Sequence, residues 1–421
     1  MSKNELNFES SELNLDYNND NLKRRENILK NNVNKLIHLK THRIRYINDI
    51  RRVLIIRKEN YVFIGDNCFF INAVRTINHF FFYSQIDLLC NTYEEKLLLK
   101  QLSKGIKMFN LRIINKKIKS IDLNSYDVII IDNLIHLELV DYIINSYNNI
   151  KSFTPSIFLF RKENDELDIG LKTFDAYIKD VAQRYWDNCL NSNNELCLTK
   201  SEQKKANKLL IQMGVQKNEK IIVFPYFSSK INKSLKLNDY FLMVKWLTSF
   251  KNVKILIFEV AEISELQIHK EICKTFEEKF KSKTIIIKSD NIRQTMSVLA
   301  NKNIFSIISP CTGITHIANL IYSNFIKSRI IEYKDKPFML VYAGLHNSNY
   351  NPYNWWKDTL VECLLIKKKP DGKKYLCNMK DLENNKLISE NMLTADNISF
   401  DLLKKYIEKN FKEDFINYIN S

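Results

Sequence analysis

The stretch Ile304-Phe305-Ser306-Ile307-Ile308-Ser309-Pro310-Cys311-Thr312-Gly313-Ile314-Thr315-His316-Ile317-Ala318-Asn319 decides the fold. Its apolar run at 304–308 predicts a buried strand, and the apolar pattern after Gly313 predicts a helix. The turn between them holds one of only 7 glycines in 421 residues, so it is expected to need a residue without a side chain. Unpaired N–H groups at a helix start carry partial positive charge and can hold a phosphate. His316 lies one turn beyond Thr312 on the same helix face and can reach the same anion.

The same alternation of strand and helix runs along most of the chain. Strands are predicted at 53–57, 85–90, 126–132, 156–160, 221–225, 253–258, 284–287, 304–308, 325–332 and 337–342. Helices are predicted at 69–82, 93–102, 137–147, 173–190, 239–250, 262–280, 293–300 and 401–416, with a further one opening at the 312–316 turn. This alternation is typical of parallel sheets with helices on both faces, which is an α/β fold.

The chain is long enough for two domains of ordinary size. The polar segment 191–200 is interpreted as a linker between them. We therefore expect a polar and then basic amphipathic extension at 1–50, a Rossmann-like domain at 51–195, and a second Rossmann-like domain at 200–421 that ends in helices. Two consecutive doubly wound domains place a ligand site between them, at the carboxyl ends of the strands.

Composition excludes several classes of protein. Hydrophobic residues make up 45% of the chain, which is ample for globular cores, but no run reaches the ~18–20 apolar residues of a membrane span. The N-terminal residues 1–20 are polar and acidic and do not resemble a secretory signal, so a cytoplasmic protein is expected. The 8 cysteines form no CxxC pair, and neither a disulfide framework nor a metal site is expected.

The net charge of +16 is consistent with a general compositional bias, because Lys, Asn and Ile are abundant throughout, but basic residues are unevenly placed in one segment, before the first predicted strand. Basic residues crowd that segment, at Arg24, Arg25, Lys30, Lys35, Lys40, Arg43, Arg45, Arg51 and Arg52. Apolar residues recur in it at near-helical spacing. Two interpretations stay open: a helix that lies on anionic lipid, or a helix packed on the first domain with solvated cations. Aromatic stacking platforms and a reading element are missing, so nucleic acid is not expected as a partner.

Three separated motifs occur in a defined order, each at the end of a predicted strand. The first is the strand 53–57 followed by Gly65-Asp66. The second is the segment 224–233, which leads into a helix near Asp239. The third is Thr312-Gly313-Ile314-Thr315-His316-Ile317-Ala318. In this order and spacing the chain resembles glycosyltransferase family 9, the heptosyltransferases of lipopolysaccharide core assembly, over roughly residues 52–353. The resemblance implies a GT-B fold, in which two Rossmann-like domains face a cleft.

The resemblance also implies a role for particular residues. Asp66 matches the proposed general base, which takes the proton of the acceptor hydroxyl; the alternative is a helix cap. Lys233 matches the lysine that neutralises the donor diphosphate, with Lys230 as its competitor. Ser228 and Ser229 fall where the family carries two hydroxyl residues near the phosphates.

Two further positions complete the implied donor site. Glu262 resembles the ribose-binding glutamate at the end of a strand, although Glu259 and Glu265 are close to it in sequence. Thr312, Gly313 and His316 form the phosphate site. Cys311 departs from the family, which has an aspartate there that contacts the donor sugar or its phosphates. A thiol is a poor replacement for a carboxylate as an acceptor or a charge.

The resemblance implies an inverting, metal-independent glycosyltransferase without a cofactor. Its donor would be a nucleotide sugar, ADP-heptose first among them. Its acceptor would be an anionic glycolipid such as lipopolysaccharide core, which the protein would reach by peripheral contact with the anionic inner face of the inner membrane. Two alternatives stay open because of Cys311: an enzyme of the same fold with another donor sugar or a protein or capsule acceptor, and a catalytically decayed binding protein.

Overall fold

The structure is a computed structural model. It describes residues 24, 27, 28, 31, 47–57, 64–131, 137–148, 156–159, 195–226, 228, 231–259, 267–288, 291–344, 352–382 and 390–410. The chain separates into two compact units. One unit comprises 1–60, 80–93 and 109–184, and the other comprises 61–79, 94–108 and 185–421.

The first unit is built on a five-stranded parallel sheet. Its strands are β1 (Arg52–Ile56), β2 (Gln85–Cys90), β3 (Leu111–Asn115), β4 (Val128–Ile131) and β5 (Ser156–Leu159), in the order β3-β2-β1-β4-β5. Every residue of β4 is buried, as are the last four of β1. Strands buried on both faces read as continuous apolar runs, which is why both were visible in the sequence.

The second unit contains a seven-stranded sheet. Its strands are β6 (Lys220–Val223), β7 (Val253–Glu259), β8 (Thr284–Lys288), β9 (Ile304–Pro310), β10 (Phe338–Ala343), β11 (Glu362–Lys368) and β12 (Lys374–Asn378), in the order β12-β11-β10-β9-β6-β7-β8. Neighbouring strands are parallel except for β12, which runs antiparallel to β11.

Ten helices accompany the strands in the described part of the chain. They are α1 (Ile64–Phe80), α2 (Tyr93–Ser103), α3 (Leu137–Asn148), α4 (Lys200–Gln212), α5 (Leu237–Thr248), α6 (Gln267–Lys279), α7 (Ile292–Leu299), α8 (Gly313–Lys327), α9 (Pro352–Trp356) and α10 (Phe400–Asn410). All but one residue of α1 and of α2 belong to the second unit. None of these helices is long and apolar enough to cross a bilayer.

Both sheets have a Rossmann-type strand order. In each, the chain moves outward through two strands, returns to the centre, and then moves outward on the other side. The order reverses between β1 and β4 in the first sheet and between β6 and β9 in the second. The connections that leave the two strands at such a point run in opposite directions and open a crevice at their carboxyl ends, where ligands bind in this class of fold.

The chain that leaves β6 is held by the core of the second unit. Tyr240 on α5 is fully buried, and its ring stacks on Phe224 with centroids 4.8 Å apart. Its hydroxyl donates a hydrogen bond of 2.8 Å to the carbonyl oxygen of Phe224. The ring of Tyr226 meets Tyr240 edge to face at 5.0 Å. The start of the segment after β6 is therefore anchored to α5 through Phe224 and Tyr226.

Most predicted strands are found within two residues of their predicted bounds, and three differences are instructive. The strand expected at 325–332 is wrong: α8 continues to Lys327, and Ile330 is 59% exposed in the turn that follows. Tyr322 and Phe325 are buried three residues apart, which is helical spacing. Helix α1 begins at Ile64 rather than near residue 69. Strand β3 was not predicted, because its edge position leaves its residues only partly buried.

Two of the predicted features lie outside the described residues. They are the helix expected at 173–190 and nearly all of the basic extension at 1–50.

Candidate active site

The turn between β9 and α8 has the form that the sequence predicted. Thr312 is the N-cap residue, in an extended conformation (φ −134°, ψ 161°), and α8 begins at Gly313. The Thr312 side chain makes no capping hydrogen bond, and its Oγ1 atom is buried without a hydrogen-bond partner in the described part of the chain. A helix leaves its first N–H groups without partners inside the helix. The turn therefore combines a helix start with a hydroxyl that has no partner in the described structure.

A hydrogen bond joins this turn to the neighbouring strand connection. The Ser228 hydroxyl, in the segment after β6, donates to the carbonyl oxygen of Cys311 at 2.8 Å. Since β6 and β9 are adjacent strands at the point where the strand order reverses, the bond ties together the two connections that frame the crevice. Ser228 thus supports the turn, and Cys311, which is half-buried, lies within it.

The first turn of α1 packs directly against the first turn of α8. A Cβ atom built on Gly313 would lie 3.0 Å from Cβ of Ile64 and 3.1 Å from the backbone nitrogen of Gly65. A Cβ atom on Gly65 would lie 2.9 Å from Cδ2 of His316. The two helix starts therefore touch through two glycines, and a side chain at either position would force them apart. Asp66, half-buried in the first turn of α1, is carried next to the start of α8.

His316 is held in an aromatic cluster. Its ring stacks on Trp356 with centroids 4.2 Å apart and planes at 4°, and it meets Phe69 edge to face at 5.1 Å. Its side chain is 5% exposed, and burial lowers its pKa to about 3. The imidazole is therefore neutral at neutral pH. Its Nδ1 atom has no hydrogen-bond partner among the residues that the structure describes, so it can offer an anion a hydrogen bond but not a charge.

Of the remaining predicted site residues, the structure describes Lys233 but not Ser229 or Glu262. Lys233 ends a short 3-10 turn, Ile231–Lys233, in the connection that leaves β6, and it is half-buried. Its chain position places a cation in the connection that contains Ser228. Ser229 and Glu262 lie outside the described residues, so their predicted roles stay predictions.

The strand bounds indicate Glu259 as a second candidate for the role that the resemblance gives to Glu262. Strand β7 ends at Glu259, one residue later than predicted, and β7 is the neighbour of β6 on the side away from β9. An acidic residue at the carboxyl end of the second strand is where Rossmann-type sites hold the hydroxyls of a ribose. Glu259 is one of the two acids close in sequence to Glu262, and apolar periodicity places strand ends only to within a few residues.

Glu259 also has a buried histidine near it. His269 on α6 is 4% exposed; burial lowers its pKa, and the charge of Glu259 opposes that shift. The His269 ring also lies 3.4 Å from Sγ of Cys273, one helical turn further on. In the described part of the chain, no group of three or more His, Cys, Asp or Glu residues could hold a metal ion.

The second unit thus brings a helix start, an acid and a buried imidazole together at the first turns of α1 and α8. No protein-family model matches the chain, and no curated protein sequence matches it. Solved structures do. A glycosyl transferase of family 9 from Veillonella parvula is 13% identical, with a TM-score of 0.51, over 85% of this chain and 96% of that one. The E. coli ADP-heptose LPS heptosyltransferase II is 12% identical, also with a TM-score of 0.51, over 86% of this chain and 99% of that one.

These likenesses establish the fold. The chain has the GT-B fold of those glycosyltransferases, and the resemblance noted in the sequence is confirmed at that level.

Proposed function

We propose that the protein is a glycosyltransferase that takes a sugar from a nucleoside diphosphate donor. The observation that carries the proposal is the contact between the first turns of α1 and α8. It puts an acid, Asp66, beside a helix start whose threonine hydroxyl and nearby imidazole have no partners in the described structure. A base on one side and anion-binding groups on the other are what displacement of a diphosphate by a hydroxyl requires.

The proposed reaction is a single displacement. Asp66 takes the proton from the acceptor hydroxyl while its oxygen forms a bond to the anomeric carbon. The bond from that carbon to the diphosphate oxygen breaks, and the nucleoside diphosphate leaves with the electron pair. The attacking and leaving oxygens lie on opposite faces of the sugar, so the anomeric configuration inverts. No metal ion takes part in this scheme.

The departing diphosphate is stabilised from several directions. The N–H groups at the start of α8 and the Thr312 hydroxyl donate hydrogen bonds to it, and the neutral His316 contributes another. Lys233 supplies the positive charge, since His316 is uncharged. Glu259 or Glu262 binds the ribose of the nucleoside. Charge that develops on a leaving oxygen is stabilised most by groups already fixed in place, and the Ser228 hydrogen bond holds this turn.

The substrates we propose are ADP-heptose and a lipopolysaccharide-core-like acceptor on the cytoplasmic face of the membrane. The likeness to a structure named as an ADP-heptose LPS heptosyltransferase supports this choice. A second candidate is the same reaction with another donor sugar or a protein or capsule acceptor. Cys311 favours it, because a thiol cannot accept hydrogen bonds from a donor sugar as a carboxylate does. A decayed binding protein is the third.

A donor screen tests the proposal. The purified full chain is incubated with ADP-heptose and with GDP-, UDP- and CMP-linked sugars, and thermal stabilisation and released nucleoside diphosphate are measured. We expect ADP-heptose to stabilise the protein and to be consumed when acceptor is present. Consumption of another donor selects the second candidate, and stabilisation without turnover selects the third. The proposal fails if no nucleotide sugar stabilises the protein.

A further inference from the structure

Strands β11 and β12 form a hairpin with an unusually basic tip. The segment 368–374 reads Lys-Lys-Pro-Asp-Gly-Lys-Lys, and all seven residues are exposed. Four of them are lysines and one is an aspartate, and Nζ of Lys373 lies 3.6 Å from that aspartate. The tip therefore carries an excess of positive charge, which faces solvent.

The turn at the tip has a fixed conformation. The amide of Lys369 donates to the carbonyl oxygen of Lys373 at 2.8 Å, and the amide of Gly372 donates to that of Lys369 at 2.9 Å. Gly372 adopts a positive φ of 85°, which glycine tolerates, and Pro370 restricts φ at the position before Asp371. The Asp371 carboxylate accepts a hydrogen bond from the Lys373 amide at 3.0 Å. The lysines are thus presented on an ordered support.

The hairpin extends beyond the sheet. The pairing of β10 with β11 ends at Ala343 and Leu365, so Ile366, Lys367 and Lys368 continue past the end of β10 by about 10 Å, at ~3.3 Å per residue. This extension is paired on both sides. β12 lies on one side, and on the other the Lys368 amide donates to Asn391 and the Leu393 amide donates to Ile366.

The extension also lies at the functional edge of the second sheet. Strand β11 is parallel to β10 and β10 is parallel to β9, so the carboxyl ends of all three strands share one edge. Thr312 and Gly313 follow β9 at that edge. Two strand spacings of about 4.8 Å separate β11 from β9. The basic tip consequently projects from the same edge of the second sheet as Thr312 and Gly313.

We propose that the exposed lysines 368, 369, 373 and 374 form a docking surface for an anionic phospholipid bilayer. Charge complementarity selects this partner, because clustered lysines near a bilayer are attracted by acidic headgroups, at about 1 kcal/mol or roughly fivefold in affinity for each residue. Lysine stems also tolerate the headgroup region while their ammonium groups meet phosphates. The surface would turn the carboxyl edge of the second sheet toward the membrane. The inference is separate from the proposed reaction.

Vesicle binding by the full chain tests this surface. The variant Lys368→Gln, Lys369→Gln, Lys373→Gln, Lys374→Gln is compared with a matched variant that carries Lys200→Gln, Lys204→Gln, Lys205→Gln and Lys208→Gln on α4. Those four lysines are also exposed, and both variants lose the same charge and keep residues 1–50. Binding is measured by co-sedimentation with phosphatidylglycerol–phosphatidylcholine vesicles and with pure phosphatidylcholine vesicles.

The hairpin variant is expected to lose at least about tenfold in affinity for the anionic vesicles, while the α4 variant stays within about twofold of wild type. Equal losses in the two variants, or wild-type binding by the hairpin variant, would overturn the proposal. So would a wild-type protein that ignores vesicles but binds a soluble phosphorylated oligosaccharide through these lysines. ADP binding, followed by thermal shift in the same samples, reports separately on the proposed function.

Discussion

Helices α1 and α8 begin in closely similar ways but carry opposite chemistry. Each follows a central strand of a Rossmann-type sheet, and each has a glycine at the contact between the two helix starts. The first turn of α1 contains an acid, Asp66, which complements the positive end of the helix dipole. The first turn of α8 contains no acid, and its N-cap threonine leaves the helix start uncapped by a side chain. One helix start therefore carries its own negative charge, whereas the other has neither an acid in its first turn nor a side-chain cap.

Under the proposed function, one local structure would serve both halves of a group transfer. A carboxylate near a helix start is stabilised as a charged base, whereas an unoccupied helix start stabilises charge that arrives on a ligand. The glycine contact brings the two within the same site. Each prediction that follows alters one side of this contact and asks whether the other side responds.

The largest effect is expected from Asp66→Asn. If Asp66 is the general base, its loss should lower turnover by about 10²–10⁴-fold, because no positioned carboxylate then accepts the proton of the acceptor hydroxyl. Affinity for ADP should stay unchanged, since the anion-binding groups belong to α8. Glu94→Gln serves as the control, because Glu94 is an exposed acid in the first turn of α2. Unchanged turnover in Asp66→Asn would show that Asp66 only stabilises the helix.

Gly313→Ala should affect both helix starts together. The added methyl group would meet the Gly65 backbone nitrogen at 3.1 Å, and a backbone atom cannot rotate away as a flexible side chain can. Overpacking of this kind costs about 1–3 kcal/mol in the free energy of unfolding. Thermal melts and turnover should both decline, and Gly65→Ala should act in the same direction. Two variants that melt like the wild type would contradict the close approach of α1 and α8.

Thr312→Val should weaken donor binding while leaving the fold intact. Valine preserves the shape but removes the hydroxyl, and a hydrogen bond to a charged group contributes about 1.5–3 kcal/mol, or at least about tenfold in Kd. Calorimetric titration with ADP measures the change. Thr312→Ser keeps the hydroxyl and should bind nearly as the wild type does. If the valine variant binds ADP normally, this turn does not hold the phosphates.

The smallest effect concerns pH. Burial lowers the pKa of His316 from 6.5 to about 3, so the unfolded chain takes up a proton that the folded one excludes. The stability that depends on keeping His316 neutral is complete above about pH 6.5. It is lost progressively as the pH falls toward the folded-state pKa of about 3. Melting temperatures should therefore fall by a few degrees less on acidification in His316→Asn than in the wild type. The exposed His79→Asn is the control, and parallel pH profiles for all three proteins would refute buried protonation at His316.

The sequence predicted the α8 start correctly and the α1 start poorly, for a physical reason. Pro310 and Gly313 mark a turn, and apolar residues at helical spacing follow immediately after Gly313. Gly65, Asp66 and Asn67 are weak helix formers, so propensity delays the predicted start of α1 to about residue 69. In the folded chain that first turn forms against α8, where a glycine is the residue that fits. Tertiary contact overrides local propensity there.

Glu259 and the strand wrongly expected at 325–332 illustrate the same limit. The end of β7 depends on pairing with β8, which reaches Glu259 opposite Lys288. An apolar run with Phe325 and Ile330 satisfies a strand pattern as well as a helix end, and only packing shows that Ile330 is exposed. A short sequence pattern therefore does not decide where a strand ends or whether a segment is strand or helix. Contacts with residues distant in the sequence decide it.

What the amino-acid sequence determined by itself was most of the strands and helices, the Thr312–Gly313 turn and the basic character of 368–374. These features follow from the spacing of apolar residues, from the backbone conformations that proline and glycine allow, and from charge. All three act within a few residues. Tertiary structure decided that Gly65 touches Gly313, that His316 is buried and neutral, and that β11 extends past β10. Strand order, register and burial depend on which distant segments exclude water together, and no local pattern records that pairing.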